Sequence, residues 1–145
     1  MKNILTAVDF SDLTAELLRR SAELARSFDA KVWLVHIAAP DPDFVGYEVG
    51  PKYIRDERAR ELRREHRLLQ DYAKQLIAEG LQAEALLIQG PLIGTLLEEA
   101  RDLEADLLVV GAHSHSTLFD KLMGNTWQDL IRQAAIPLLV VPEVS

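Results

Sequence analysis

Five short apolar runs, at residues 3–9, 31–37, 83–89, 106–111 and 137–141, recur along the chain with helix-length connections between them. Connections of that length join parallel strands, because antiparallel neighbours need only a tight turn. NILTAVD, KVWLVHI, DLLVVG and PLLVV show no regular polar alternation, as expected of strands covered on both faces. The pattern predicts an α/β fold, a three-layer sandwich in which helices flank a five-stranded parallel sheet and the crossovers are right-handed. At 145 residues the chain is sized for one domain spanning 1–145.

The connections carry the helices. Ser11 and Asp12 are good N-caps, and Leu13, Leu17, Leu18, Ala22, Leu24 and Ala25 recur at helical spacing up to Phe28. Residues 52–79 predict a long amphipathic helix with Leu62, Leu69, Ala73, Leu76 and Ile77 along one face, closed by Gly80. Shorter helices are expected at 93–103 and at about 124–133. Between strand two and the long helix, Pro40, Pro42, Gly46, Gly50 and Pro51 oppose any regular element. The RDERARELRREHR run interleaves acids and bases at roughly helical spacing, which reads as a solvated, salt-bridged face.

Composition excludes several function classes. With 48% hydrophobic and 27% charged residues the chain is neither disordered nor fibrous. Lys and Arg number 16 against 23 Asp and Glu, a net charge of −7 that would repel a nucleic-acid backbone. No cysteine is present, so disulfides, thiol nucleophiles and thiolate metal sites are excluded. Asp9 interrupts the opening apolar run before it reaches signal-peptide length, and no stretch approaches the ~18 apolar residues of a membrane span. A cytoplasmic address and no membrane partner are the expectations.

In an open parallel sheet, ligands bind outside the carboxyl ends of the strands. Those ends carry Asp9-Phe10-Ser11, Ile37, Gln89-Gly90 and Gly111-Ala112-His113-Ser114-His115. The last opens a segment rich in small and hydroxyl residues that runs to Gly124-Asn125-Thr126 ahead of a helix, where backbone amides can hold phosphate without a basic surface. Gly90-Pro91-Leu92-Ile93-Gly94-Thr95 lacks the spacing and lysine of a GxxxxGK[ST] phosphate loop, and the G-x-S-x-G hydrolase elbow is missing. A dinucleotide fingerprint would need glycines where Phe10-Ser11-Asp12 stand. A phosphoacceptor receiver would need an aspartate at Gln89 and a lysine at Pro142, and a pyrophosphatase-type ATP enzyme would need Ser-Gly-Gly near Asp9.

The strand ending in Val8-Asp9, the Val35-His36-Ile37 strand, Val109-Val110-Gly111, Gly124 and the terminal Pro137-Leu138-Leu139-Val140-Val141-Pro142 together resemble the universal stress protein family over the whole chain. The resemblance implies a Rossmann-like sheet of the adenine nucleotide alpha hydrolase-like kind, with strand order 3-2-1-4-5. It also implies a site for ATP or AMP, with or without Mg2+. Nucleotide-binding members carry a glycine, two residues, a second glycine, nine residues, then a glycine followed by Ser or Thr. Carried over, Asp9 and Val35 hold adenine, while Gly111, His113, Ser114, Gly124, Asn125 and Thr126 line ribose and phosphate.

Ser114 replaces the second glycine and Asn125 the hydroxyl residue. If position 114 needs a left-handed backbone, Ser costs about 1 kcal/mol relative to Gly. Asn125 can still donate to phosphate or cap the last helix. Each residue also has a plainer role: Asp9 as a helix cap, Gly111 and Gly124 as turn glycines, His113 and His115 as exposed loop residues, and His36 as a hydrogen-bonded core histidine. A metal at the His113 and His115 pair is rejected for want of further ligands. The function expected is an adenine-nucleotide-binding, ligand-regulated module of the stress response that is not an enzyme, any hydrolysis being slow. The alternative is a nucleotide-free adaptor of the same family with a decayed phosphate site. A homodimer through the last strand is implied, because family members cover that edge with a second copy.

Overall fold

Strand β1 (Asn3–Ala7) lies at the centre of the sheet, parallel to β2 (Lys31–Ala38) on one side and β4 (Leu107–Gly111) on the other. β3 (Gln82–Gln89) extends the sheet beyond β2 and β5 (Leu138–Val141) beyond β4, giving the all-parallel order β3-β2-β1-β4-β5. The computed structural model describes residues 1–40, 52–112 and 126–143. Helices α1 (Thr14–Phe28) and α2 (Lys52–Ala78) cover one face, and α3 (Leu92–Asp102) and α4 (Thr126–Gln133) the other. The expected three-layer α/β sandwich and its strand order are therefore present.

Register follows from the two-residue period of a strand. Ile4, Val32 and Leu107 turn toward α1 and α2, while Leu5, Val35 and Leu108 turn toward α3 and α4. Fully burying each of these side chains contributes about 1.5–3 kcal/mol. The one polar pair in this stretch of core, Thr6 and Ser21, is satisfied internally by a 2.6 Å hydroxyl bond from β1 to α1. At the amino edge, the Asp106 carboxylate accepts the backbone amides of Lys2 and Asn3 at 2.7 and 3.0 Å. Those bonds, Lys2 first and Asn3 second, hold its pKa below the usual carboxylate range.

The element boundaries depart from expectation where local backbone geometry intervenes. β1 ends at Ala7 rather than residue 9, because Phe10 adopts a left-handed conformation (φ 61°) and turns the chain out of the sheet. α1 starts at Thr14; the Ser11 hydroxyl accepts the Leu13 amide in a turn ahead of the helix instead of capping it directly. Ile77, expected on the buried face of α2, is 52% exposed, whereas Leu69, Ala73 and Leu76 are buried. Gly80 does close α2, with φ 92° and the Leu81 amide reaching back to the Leu76 carbonyl. α1 and α3 end with the same backbone bond, but around left-handed Asp29 and Glu104.

Candidate functional site

The helix after β1 and the helix before β5 lie on opposite faces, so a crevice opens at the carboxyl ends of β1 and β4, where the winding reverses. Asp9 stands exposed at the end of β1 and its Oδ1 accepts the Ser11 amide at 3.1 Å, a two-residue turn made by an aspartate side chain. The residue between them, Phe10, carries the left-handed φ, a conformation costing an L-residue roughly 1–2 kcal/mol. Its ring offsets that cost by packing on the His36 ring, centroids 4.6 Å apart, and on Tyr72 at 6.4 Å. Backbone strain held in place by packing beside a strand end is a recurring mark of a ligand site.

β2 is one side of the same edge. Val35, the residue assigned to adenine from the sequence, is entirely buried, and its carbonyl accepts the Val8 amide at 2.8 Å. Pairing between β1 and β2 stops at Ala7 and Val35. Alternate residues of a parallel strand turn both backbone groups to the same neighbour, so Ile37 is the next residue of β2 to face the β1 side, past the end of that pairing. Ile37 is half-buried and continues to pair with Ile88 of β3 in register. The sequence places Ile37 at this strand end without giving its backbone a role, and counting the alternation from the last β1 pair supplies one.

His36 ties the edge together. Its Nδ1 contacts the Val8 carbonyl at 2.6 Å and its Nε2 stands 2.9 Å from Glu65 Oε2 of α2. About two turns earlier along α2, Arg58 donates to the Ala39 carbonyl at 2.7 Å just beyond β2. The end of β3 closes on the end of β2 through the Gly90 amide and the Ala38 carbonyl, 3.1 Å apart. A side chain at Gly90 would start 2.4 Å from the Thr95 hydroxyl of α3.

Gly111 ends β4 level with the end of β1, and a Cβ there would lie 3.0 Å from Leu13 Cδ1 and 3.6 Å from Leu17 Cδ1. The lack of a side chain is thus accounted for by the close approach of α1 to the sheet. The structure brings Asp9, Ile37 and Gly111 to one edge on three adjacent strands. His113, Ser114, Gly124 and Asn125 lie outside the described residues, as does His115, and Thr126 is the first residue of α4. Among the described residues no cluster of three or more His, Asp or Glu could hold a metal ion. No described helix is long and apolar enough to cross a membrane.

A five-stranded parallel sheet in this order, with a crevice at the carboxyl ends of its two central strands, belongs to the Rossmann-like class. Within it, residues 1–142 match the model of the universal stress protein family, and the chain belongs to that family. A universal stress protein A homolog of Pasteurella multocida is 30% identical over 143 residues, covering 97% of this chain and 96% of its own. The crystal structure of a family member from Burkholderia pseudomallei is 26% identical, with a TM-score of 0.74 over 98% of this chain and 96% of its own. An Arabidopsis thaliana family member solved with AMP bound shares the fold at 19% identity, with a TM-score of 0.70 over 100% of this chain and 94% of its own.

Proposed function

We propose that this protein binds an adenine nucleotide, ATP or AMP with or without Mg2+, at the carboxyl edge of β2, β1 and β4, as a ligand-regulated module of the stress response. The observation that carries the reading is the edge itself: an exposed Asp9 carboxylate held by its own turn, beside a strand end at Ile37 whose backbone faces the gap. A carboxylate accepts from an exocyclic amine and a strand-end amide and carbonyl pair with a base edge, which is the donor and acceptor set adenine offers. The AMP held by the Arabidopsis relative supports this assignment. Ile37 replaces Val35 as the backbone contact, and the segment from Gly111 to Thr126, including His113, Ser114, Gly124 and Asn125, is assigned to ribose and phosphate. No catalytic residue is proposed. Calorimetry with AMP tests the reading: Gly124→Val is expected to weaken binding at least about tenfold by obstructing backbone approach, and Ser114→Gly to strengthen it. Unchanged affinity in both variants would displace the site.

A second reading, a nucleotide-free adaptor, is favoured by one observation: packing against Leu13 explains Gly111 without a ligand. Mass spectrometry of the small molecules that copurify with the protein separates the two. Either reading includes a homodimer through β5. That edge strand leaves Val140 41% exposed, and Ile131 on α4 is 62% exposed, apolar side chains that a twofold copy would cover. Sedimentation is expected to give about twice the 16.3 kDa chain mass. A monomer at micromolar concentration would remove the dimer from both readings.

A further inference from the structure

His36 faces two acceptors with two ring nitrogens: the Val8 carbonyl at Nδ1, 2.6 Å away, and Glu65 Oε2 at Nε2, 2.9 Å away. A carbonyl only accepts, an ionised carboxylate only accepts, and a neutral imidazole has a single N–H. Both contacts persist together only while one proton sits on Nδ1 and a second is carried by Nε2 or by the Glu65 carboxyl. Glu65 Oε2 is buried without an aligned hydrogen bond among the described residues, and the His36 Nε2 at 2.9 Å stands against it as a charge contact. Removing the second proton sets lone pair against lone pair, and the ring must release either Glu65 or Val8.

The surroundings carry that change to the candidate site. Among the described residues, α2 presents Glu65 to the ring, β1 presents only the Val8 carbonyl, and the cross-strand neighbour on β3 is Leu87. Phe10 covers the ring from the turn after β1, with Tyr72 of α2 behind it. Further along α2, Arg58 and Glu61 face each other at 3.4 Å. Val8 immediately precedes Asp9, and the ring that keeps Phe10 in its left-handed conformation is the His36 ring. We propose that His36 is a positioning residue for the Asp9 turn, and that the proton it shares with Glu65 is a latch that makes nucleoside affinity depend on pH. The inference rests on the adenine assignment of Asp9.

Adenosine is the probe, because it has no phosphate to titrate in the imidazole range. Its affinity for the unmodified protein is expected to fall about fivefold from the acid to the alkaline side of the His36 ring transition that NMR records, the equivalent of one hydrogen bond. In Glu65→Gln the carboxamide donates to a neutral Nε2 while Nδ1 keeps Val8, so affinity at the higher pH is expected to stay at the acid level. A flat profile in the unmodified protein, or an undiminished slope in Glu65→Gln, overturns the latch. A ligand-free measurement separates this from the nucleotide reading. In NMR titrations the Asp9 and Phe10 amides are expected to shift with the midpoint of the His36 ring, and to stay still in His36→Asn, whose amide donates to Val8 without titrating. Amides that move while adenosine fails to bind would sink the nucleotide assignment, and with it the pH-dependent affinity, but leave His36 as the positioning residue of the Asp9 turn. Amides that ignore the ring titration would sink the latch, whatever adenosine does.

Discussion

Leu69→Ala is expected to lower the free energy of unfolding by about 3 kcal/mol, and Ile77→Ala by less than about 0.5 kcal/mol, although both residues belong to the same apolar series on α2. Leu69 is fully enclosed between α2 and the sheet, so truncation removes buried area and leaves a cavity where neighbours cannot close in. Ile77 is half exposed near the carboxyl end of the helix, and its methyl groups already meet water. Urea midpoints of the two variants at neutral pH provide the comparison. Equal losses would mean that α2 is rotated about its axis relative to the face seen here.

That pair shows what periodicity conveys and where it stops. Consecutive helical residues are about 100° apart around the axis, so of two apolar neighbours in the last turn of α2 only one can sit squarely on the buried stripe. Leu69, Ala73 and Leu76 follow the stripe; Ile77 falls beyond it. The parallel sheet was legible because buried strands and helix-length connections leave few other topologies. The order of the strands was not contained in that pattern and came from the family resemblance. Helix ends were legible only where glycine marks them, as at Gly80. Asp29 and Glu104 take the same left-handed position, and nothing in their identity announces it.

The candidate site was legible by address more than by atom. Asp9 and Gly111 could be placed at the carboxyl edge once their strands were known, and both are there. Val35 and Ile37 share an orientation, and only the point where β1 stops pairing distinguishes them, which periodicity alone does not mark. Phe10 carried no signal: an aromatic residue in a left-handed conformation is disfavoured locally, and it persists because His36 and Tyr72 receive its ring. His36 was expected as a hydrogen-bonded core histidine. It is hydrogen-bonded but only partly buried, and its partners on β1 and α2 depend on tertiary contacts that strand periodicity does not encode.

Gly111→Val is expected to cost about 1–3 kcal/mol of stability, and a substantial part of that loss should return when Leu13→Ala is added. The new Cβ starts 3.0 Å from Leu13 Cδ1, and the branch of valine extends the clash toward Leu17, so α1 must tilt or the side chains must leave their preferred rotamers. Shortening Leu13 empties the space the valine needs. The double variant should therefore be more stable than the sum of the single losses predicts, by at least about 0.5 kcal/mol, the size of coupling that contacting residues show. The same cycle bears on function. The Cβ direction at position 111 points at α1 and not along the open edge of β4, so AMP affinity is expected to recover together with the fold. If stability recovers and AMP binding does not, a side chain at 111 obstructs the ligand directly, and this glycine is held by the nucleotide as well as by Leu13.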